Sequence, residues 1–252
     1  MRKIIASCAA AAAAALALAL AVAPAGASNA SRLTYTSGPN YSSSLAGYAA
    51  VAKSGSTVTG FKYVSAEFTV PSLNCGTTAN GEVGQYVAFG TASGQPDLSS
   101  ELGIQEECQS GTPVYPAMSF GCCQVVPINP GDLVQVSLSI TVHHHIYADY
   151  TNLTTGITNQ NLLGCCYQGF PSAWVFTAED SGPPIADFTQ IGFRQVQVEG
   201  ISQSLMQPLA SSAWTVAEYA LKGPSGSVDA KPEALLSGKY TSAFANDWLS
   251  PN

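Results

Sequence analysis

The segment SAWVFTAEDSGPPIADFTQIGF, residues Ser172–Phe193, decides the fold of this 252-residue chain. It opens with the apolar run Ala173–Phe176, is interrupted at Ser181–Pro184, and resumes with apolar residues that alternate with polar ones. Short apolar runs separated by Gly and Pro are typical of β-strands joined by turns. We therefore predict two strands here, joined by a proline turn.

The same pattern continues along the chain. Its longest example alternates five apolar residues with polar neighbours and predicts a strand with one buried face, namely Val134, Val136, Leu138, Ile140 and Val142. Further strands are predicted at residues 45–51, 58–63, 64–71, 85–89, 102–107, 149–153, 162–166, 174–177, 191–198, 214–221 and 241–248. The only helix-like stretch is Lys231–Leu236. So many short strands predict an all-β antiparallel sandwich, built as a single domain over residues 44–252.

The N-terminus resembles a secretory signal peptide over residues 1–27. Arg2 and Lys3 precede an apolar run at Ala9–Val22, and Ala25–Ala27 offers a small-residue cleavage site. A membrane anchor is the weaker alternative, because the run is barely long enough to span a bilayer and no stop-transfer charges follow it. We predict a secreted protein with no membrane segment after cleavage, and a mobile lead-in over residues 28–43.

The charge of the chain limits its partners. It has 16 acidic and 9 basic residues, which gives a formal net charge of −7. Proteins that bind nucleic acid or anionic membranes usually present basic surfaces. We therefore expect neither kind of partner.

Six cysteines remain after the predicted cleavage. They are Cys75, Cys108, the pair Cys122–Cys123 and the pair Cys165–Cys166. In an exported protein an even number indicates disulfides, and we expect a Cys75–Cys108 bond and bridges between the two pairs. Zinc, held with His143–His145, is the competing interpretation. It is disfavoured because neighbouring strand residues point to opposite faces and no CxxC spacing occurs.

Five motifs then occur in the order and at about the spacing of one known family. They are Leu45–Tyr48, Val64–Pro71, Gly131–Asp132, Asn152–Gly156 and Pro184–Phe188. Together they resemble the glutamic peptidases, also called eqolisins or the peptidase A4 family, over about residues 45–250. The resemblance implies a lectin-like (concanavalin-type) sandwich of two curved antiparallel sheets. It also implies a secreted acid endopeptidase without metal or cofactor, and we expect a monomer.

The resemblance also implies a catalytic dyad of one glutamine and one glutamate on neighbouring strands of the concave sheet. The glutamate activates a water molecule and the glutamine amide stabilises the oxyanion. The glutamine position reads Gln105, within the motif Gly103–Glu106. The glutamate position, aligned on Trp174, reads Ala173, and an alanine cannot take a proton.

Other positions that line the family's cleft are carried over in the same way, and several differ from the family. Tyr86 and Tyr115 keep aromatic rings, whereas Gly90 stands in place of an aspartate and Phe120 in place of a glutamate. We predict that these four residues bind the substrate or ligand. Matching the family's spacing also places His143–His145 near a hairpin tip.

Two acids could substitute for the missing glutamate. Glu107 lies two residues from Gln105, so on one strand the two side chains share a face about 7 Å apart. Glu179 has the same strand parity as Ala173 but lies about 20 Å away along a straight strand. The favoured hypothesis is a non-catalytic or impaired homologue that binds an extended peptide or a glycan on the concave sheet. The alternative is an active acid endopeptidase that uses Gln105 with a displaced carboxylate.

Overall fold

The computed structural model describes residues 31–32, 39–91, 97–115, 127–178, 185–188, 190–223, 225–239 and 241–249. These residues form seventeen β-strands and no helix. The strands are β1 Ser31–Arg32, β2 Asn40–Ser42, β3 Leu45–Val51, β4 Phe61–Thr69, β5 Glu82–Thr91, β6 Asp97–Gln109, β7 Thr112–Val114, β8 Leu133–Ile140, β9 Ile146–Asn152, β10 Ile157–Gly164, β11 Ser172–Ala178, β12 Gln190–Gly200, β13 Gln207–Pro208, β14 Thr215–Lys222, β15 Val228–Pro232, β16 Leu236–Ser237 and β17 Ser242–Trp248. A helix long and apolar enough to cross a membrane is therefore not found in this part of the chain.

The strands form two layers. The first layer has the order β2-β14-β3-β11-β5-β6-β7. The second has the order β16-β17-β12-β4-β8-β9-β10. All of these pairings are antiparallel except β2 with β14. Strand β15 pairs with both β14 and β17 and so joins the layers along one edge. The predicted all-β antiparallel sandwich is confirmed.

The main core lies between the layers. Alternate residues of β8 are fully buried there, as the period-2 pattern predicts for Val134, Val136 and Leu138. The same prediction is wrong for Val142, which lies beyond the end of β8 and is 88% exposed. Tyr48 of the first layer and Phe244 of the second layer make an edge-to-face contact, with their ring centroids 4.9 Å apart. Contacts of this kind bring the inner faces of both layers into one apolar cluster.

A second buried cluster lies on the opposite side of the first layer, which we call the outer face. Because successive strand residues point to opposite sides, neighbours of core residues belong to it. Its fully or almost fully buried members are Leu45, Ala49, Ala88, Trp174, Phe176 and Tyr219. Strands β3, β5 and β11 are thus apolar on both faces, which is why Ala173–Phe176 reads as a continuous run rather than an alternation.

Some sequence predictions need correction. The strands predicted at residues 58–63 and 64–71 form the single strand β4. The helix-like stretch Lys231–Leu236 was predicted wrongly, because its ends lie in β15 and β16 and pair with β17. Strands β1 and β2, which pair with β16 and β14, lie inside the segment predicted as a lead-in. The predicted signal peptide and the turn at residues 181–184 lie outside the described residues.

The cysteines divide into two groups. Cys75 and Cys108 form the predicted disulfide, with an Sγ–Sγ distance of 1.98 Å, and connect the loop before β5 to β6. Cys165 and Cys166 are exposed and form no disulfide, so the bridges predicted for this pair are not formed. Their predicted partners, Cys122 and Cys123, lie outside the described residues.

Candidate functional site

The outer face carries an aromatic ring that lies flat on the sheet. Gly84 and Gly103 flank Tyr86, and a Cβ atom on Gly84 would lie 2.5 Å from the Tyr86 hydroxyl oxygen. A Cβ atom on Gly103 would collide with Cδ1 of the same ring. The ring also stacks on Phe176, with centroids 5.5 Å apart and an interplanar angle of 21°. The two glycines therefore leave the space in which Tyr86 lies.

A glutamine and a glutamate meet beside this ring. Gln105 Nε2 donates a hydrogen bond of 2.7 Å to Glu82 Oε2. Gln105 lies opposite Gly84, and Glu82 lies opposite Glu107, so these side chains share the outer face with Tyr86. Gln105 and Glu82 are half-buried. The structure thus places a carboxylate in direct contact with the amide of the predicted catalytic glutamine.

Sequence reasoning missed Glu82, because it lies at the end of a Gly/Asn/Thr-rich stretch that reads as a loop. The signal that could have found it is its spacing. Glu82 is two residues before Gly84 and four before Tyr86, so an earlier start for β5 puts it on the same face.

A polar cavity opens next to the Gln105–Glu82 pair. It has a volume of about 410 Å³ and is bordered by Asn80, Glu82, Glu107, Cys108, Gln109 and Ser110. Glu107, one of the two predicted substitute acids, accepts a 2.5 Å hydrogen bond from Gln109 Nε2. Two carboxylates therefore face this cavity at the end of the outer face.

The position assigned to the missing glutamate lies on the other side of the sheet. Ala173 lies opposite Ala50 of β3 and Phe89 of β5, and it is fully buried in the main core. Its neighbours Trp174 and Phe176 lie on the outer face. The described residues of β11, SAWVFTA, include no carboxylate on either face.

The remaining predicted site residues are scattered. The Tyr115 hydroxyl accepts a 3.1 Å hydrogen bond from Leu73 N, and its ring packs against the main core. Gly90 O accepts a 2.7 Å bond from Ser172 Oγ. Phe120 and Glu179 lie outside the described residues. The structure therefore brings Tyr86, Gln105 and Glu107 onto one face, and it does not bring Ala173 or Tyr115 to that face.

A second glutamine–glutamate pair lies inside the core. Gln85 Nε2 donates a 2.9 Å hydrogen bond to Glu106 Oε2, and both residues are fully buried. Burial raises the pKa of the Glu106 carboxyl well above its usual range, although the bond from Gln85 acts in the opposite direction. Burial therefore favours the neutral form of this acid, and it keeps the carboxyl group from any polypeptide.

The three histidines belong to an exposed turn. Residues 141–145 form the turn between β8 and β9, with His143 and His144 exposed. Within the part of the chain that the structure describes, no group of three His, Cys, Asp or Glu side chains could hold a metal ion.

Comparison with known proteins establishes the family. The sequence profile of the peptidase A4 family matches residues 43–223, which is most of the chain. The chain belongs to the peptidase A4 family. No curated protein sequence matches it.

Solved structures of the same family share the fold. One is SCP-B, described as a member of the eqolisin family in complex with the tripeptide Ala-Ile-His, with a TM-score of 0.59 at 16% identity. Another is scytalido-glutamic peptidase with a transition-state analogue inhibitor, with a TM-score of 0.58 at 16% identity. Each match covers 82% of this chain and 98% of the other. At this identity the likeness shows the fold of this peptidase A4 member and nothing of its site.

Proposed function

We propose that this peptidase A4 protein binds an extended polypeptide at the end of the outer face. We also propose that it does not hydrolyse this polypeptide by the glutamate-based mechanism of the family. One observation carries the proposal. The positions of β11 that reach the outer face are Ser172, Trp174, Phe176 and Ala178, and none of these side chains can accept a proton from a catalytic water.

The chemistry of the face suits an extended chain. Glu82 and Glu107 carry acceptors for backbone N–H groups, and the Gln105 amide can both donate and accept hydrogen bonds. The half-buried Tyr86 ring adds an apolar surface beside them. A glycan is the alternative ligand, because sugars are also bound by aromatic rings and hydrogen-bonding side chains.

Binding can be measured with a fluorescently labelled, oxidised insulin B chain at acidic pH. We expect Gln105→Ala to weaken binding by about tenfold, the effect of losing about 1.4 kcal/mol. Gln135→Ala is the matched control, because Gln135 is also half-buried on a central strand but belongs to β8 of the second layer. Equal affinities for the wild type and Gln105→Ala would contradict the proposal, as would binding that only an oligosaccharide can displace.

The contact between Gln105 and Glu82 favours a second candidate, a working acid endopeptidase. In that case Glu82 takes a proton from the attacking water, the Gln105 amide donates to the oxyanion, and Glu82 returns the proton to the leaving amine. Digestion of an unfolded protein in acid tests it. Turnover that is lost in both Glu82→Gln and Gln105→Ala, but kept in Gln135→Ala, would establish the enzyme and overturn the binding proposal.

We also propose that the protein is exported. The basic, apolar and small-residue regions of residues 1–27 support this, together with the disulfide between Cys75 and Cys108. N-terminal sequencing of protein from the culture medium should give Ser28 as the first residue. Material that is found only in cells and still begins at Met1 would contradict export.

A further inference from the structure

Two neighbouring thiols lie together at the end of β10. Cys165 and Cys166 directly follow Gly164, and both are exposed and unpaired. Their Sγ atoms are 2.7 Å apart. Successive residues of an extended strand would point to opposite sides. Cys166, however, has a φ of 75°, in the left-handed region, and this turn in the backbone lets both sulfurs meet on one side.

The segment that follows the two cysteines is fixed at two points. Tyr167 N donates a 3.1 Å hydrogen bond to His144 O, and Tyr167 O lies 3.1 Å from His144 Nδ1. Three residues later, Phe170 stacks on Phe89 of the core, with ring centroids 5.2 Å apart. These anchors hold the segment to the β8–β9 turn and to the core, so the thiols are presented on a fixed base.

We propose that Cys165 and Cys166 are a redox-active dithiol that a low-molecular-weight disulfide closes into a disulfide between the two neighbours. The Cys166 thiolate attacks one sulfur of the small disulfide, which gives a mixed disulfide and expels one thiolate. The Cys165 thiolate then attacks the Cys166 sulfur and expels the second. The two protein thiols lose two protons and two electrons, and the small disulfide becomes two thiols.

The order of the two steps follows from the contact between the sulfurs. The hydrogen bond with Cys166, and the charge of its thiolate, raise the pKa of the Cys165 thiol. Cys165 therefore holds its proton to a higher pH than an isolated thiol, and we assign it the second attack. The Cys75–Cys108 disulfide is buried, whereas Cys165 and Cys166 are exposed, so a small thiol reaches the exposed pair more readily.

The test uses the full folded chain, reduced with a monothiol and then given glutathione disulfide at mildly alkaline pH without oxygen. We expect two glutathione molecules released per chain, no lasting mixed disulfide, and a peptide in which Cys165 is bonded to Cys166. Cys165→Ser should stop at a mixed disulfide on Cys166. The double variant Cys165→Ser/Cys166→Ser measures the background from the other cysteines.

Two results would overturn the proposal. One is a wild-type peptide map that joins Cys165 or Cys166 to Cys122 or Cys123. The other is a mixed disulfide that lasts as long in the wild type as in Cys165→Ser. Phenylarsine oxide gives a second measurement, because a trivalent arsenical bridges two close thiols. Above the background of the double variant, the reduced wild type should retain one arsenical per chain through a monothiol wash, and retention above that background by either single variant would count against a dithiol.

Discussion

Replacing Ala173 by glutamate tests how β11 is oriented in the sandwich. Ala173 is fully buried between Ala50 and Phe89 in the main core, so a longer side chain has no space there. Overpacking of this kind destabilises a protein by about 1–3 kcal/mol. The new carboxyl group would also have to stay protonated, because the described residues around it form an apolar cluster.

The second effect depends on pH. An unperturbed glutamate has a pKa of about 4.3, and burial would raise the pKa of this one. While the buried group stays protonated, each pH unit above its pKa in the unfolded state lowers the free energy of unfolding by about 1.4 kcal/mol. The penalty therefore vanishes near pH 3.5 and reaches about 4 kcal/mol near pH 7, beyond the packing term. Since the folded-state pKa is the raised one, stability is kept in acid and lost as the pH rises.

Urea denaturation of the wild type, Ala173→Glu and Ala173→Gln at the two pH values measures this. Glutamine has nearly the same shape and does not titrate, so it isolates the packing term. We expect the two variants to be equally destabilised in acid. At neutral pH we expect the glutamate variant to be much less stable than the glutamine variant. A glutamate variant as stable as the wild type, or one that gains acid proteolysis, would refute the assignment of Ala173 to the core.

Three further predictions concern stability. Glu106→Gln should flatten the pH dependence of the free energy of unfolding. Burial raises the pKa of Glu106, so the wild type loses stability as the pH rises above about 4.3. Urea denaturation of both proteins from acid to neutral pH measures this, and the same change of unfolding free energy with pH in both proteins would contradict it. Cys75→Ser with Cys108→Ser should lower stability by about 3–4 kcal/mol, since the bond closes a loop with a sequence separation of 33; an unchanged denaturation midpoint without reductant would contradict this. Phe176→Ala should cost about 3–5 kcal/mol, because the ring is 1% exposed and stacks on Tyr86; a calorimetric loss well under that range would show that the outer-face cluster contributes little.

The fold followed from the sequence wherever one face of a strand meets polar surroundings. The alternation around Val134, Val136 and Leu138 gave the correct strand and the correct inner face. Lys231–Leu236 failed because its helix-like composition is a weak local preference, which hydrogen bonding to β17 overrides.

The site was harder to predict, because a motif fixes a position in the chain but not the side of the sheet. Aligning β11 on Trp174 selected Ala173, yet both sides of that strand are buried and its apolar run gives no alternation from which to assign them. Gln105 and Glu107 lie on the same face of the sheet, as predicted, because of how β5 pairs with β6. Their neighbour Glu82 comes from a different part of the chain, and only the strand register brings it to Gln105.

The fate of a bound polypeptide is the most direct test of a function without hydrolysis. The oxidised insulin B chain can be incubated at acidic pH with the folded protein in water labelled with oxygen-18 and then analysed by mass spectrometry. We predict that the peptide is bound but recovered whole and unlabelled. Fragments that carry one oxygen-18 at a new C-terminus, and that disappear with Glu82→Gln, would contradict the account and establish Glu82 as the general base.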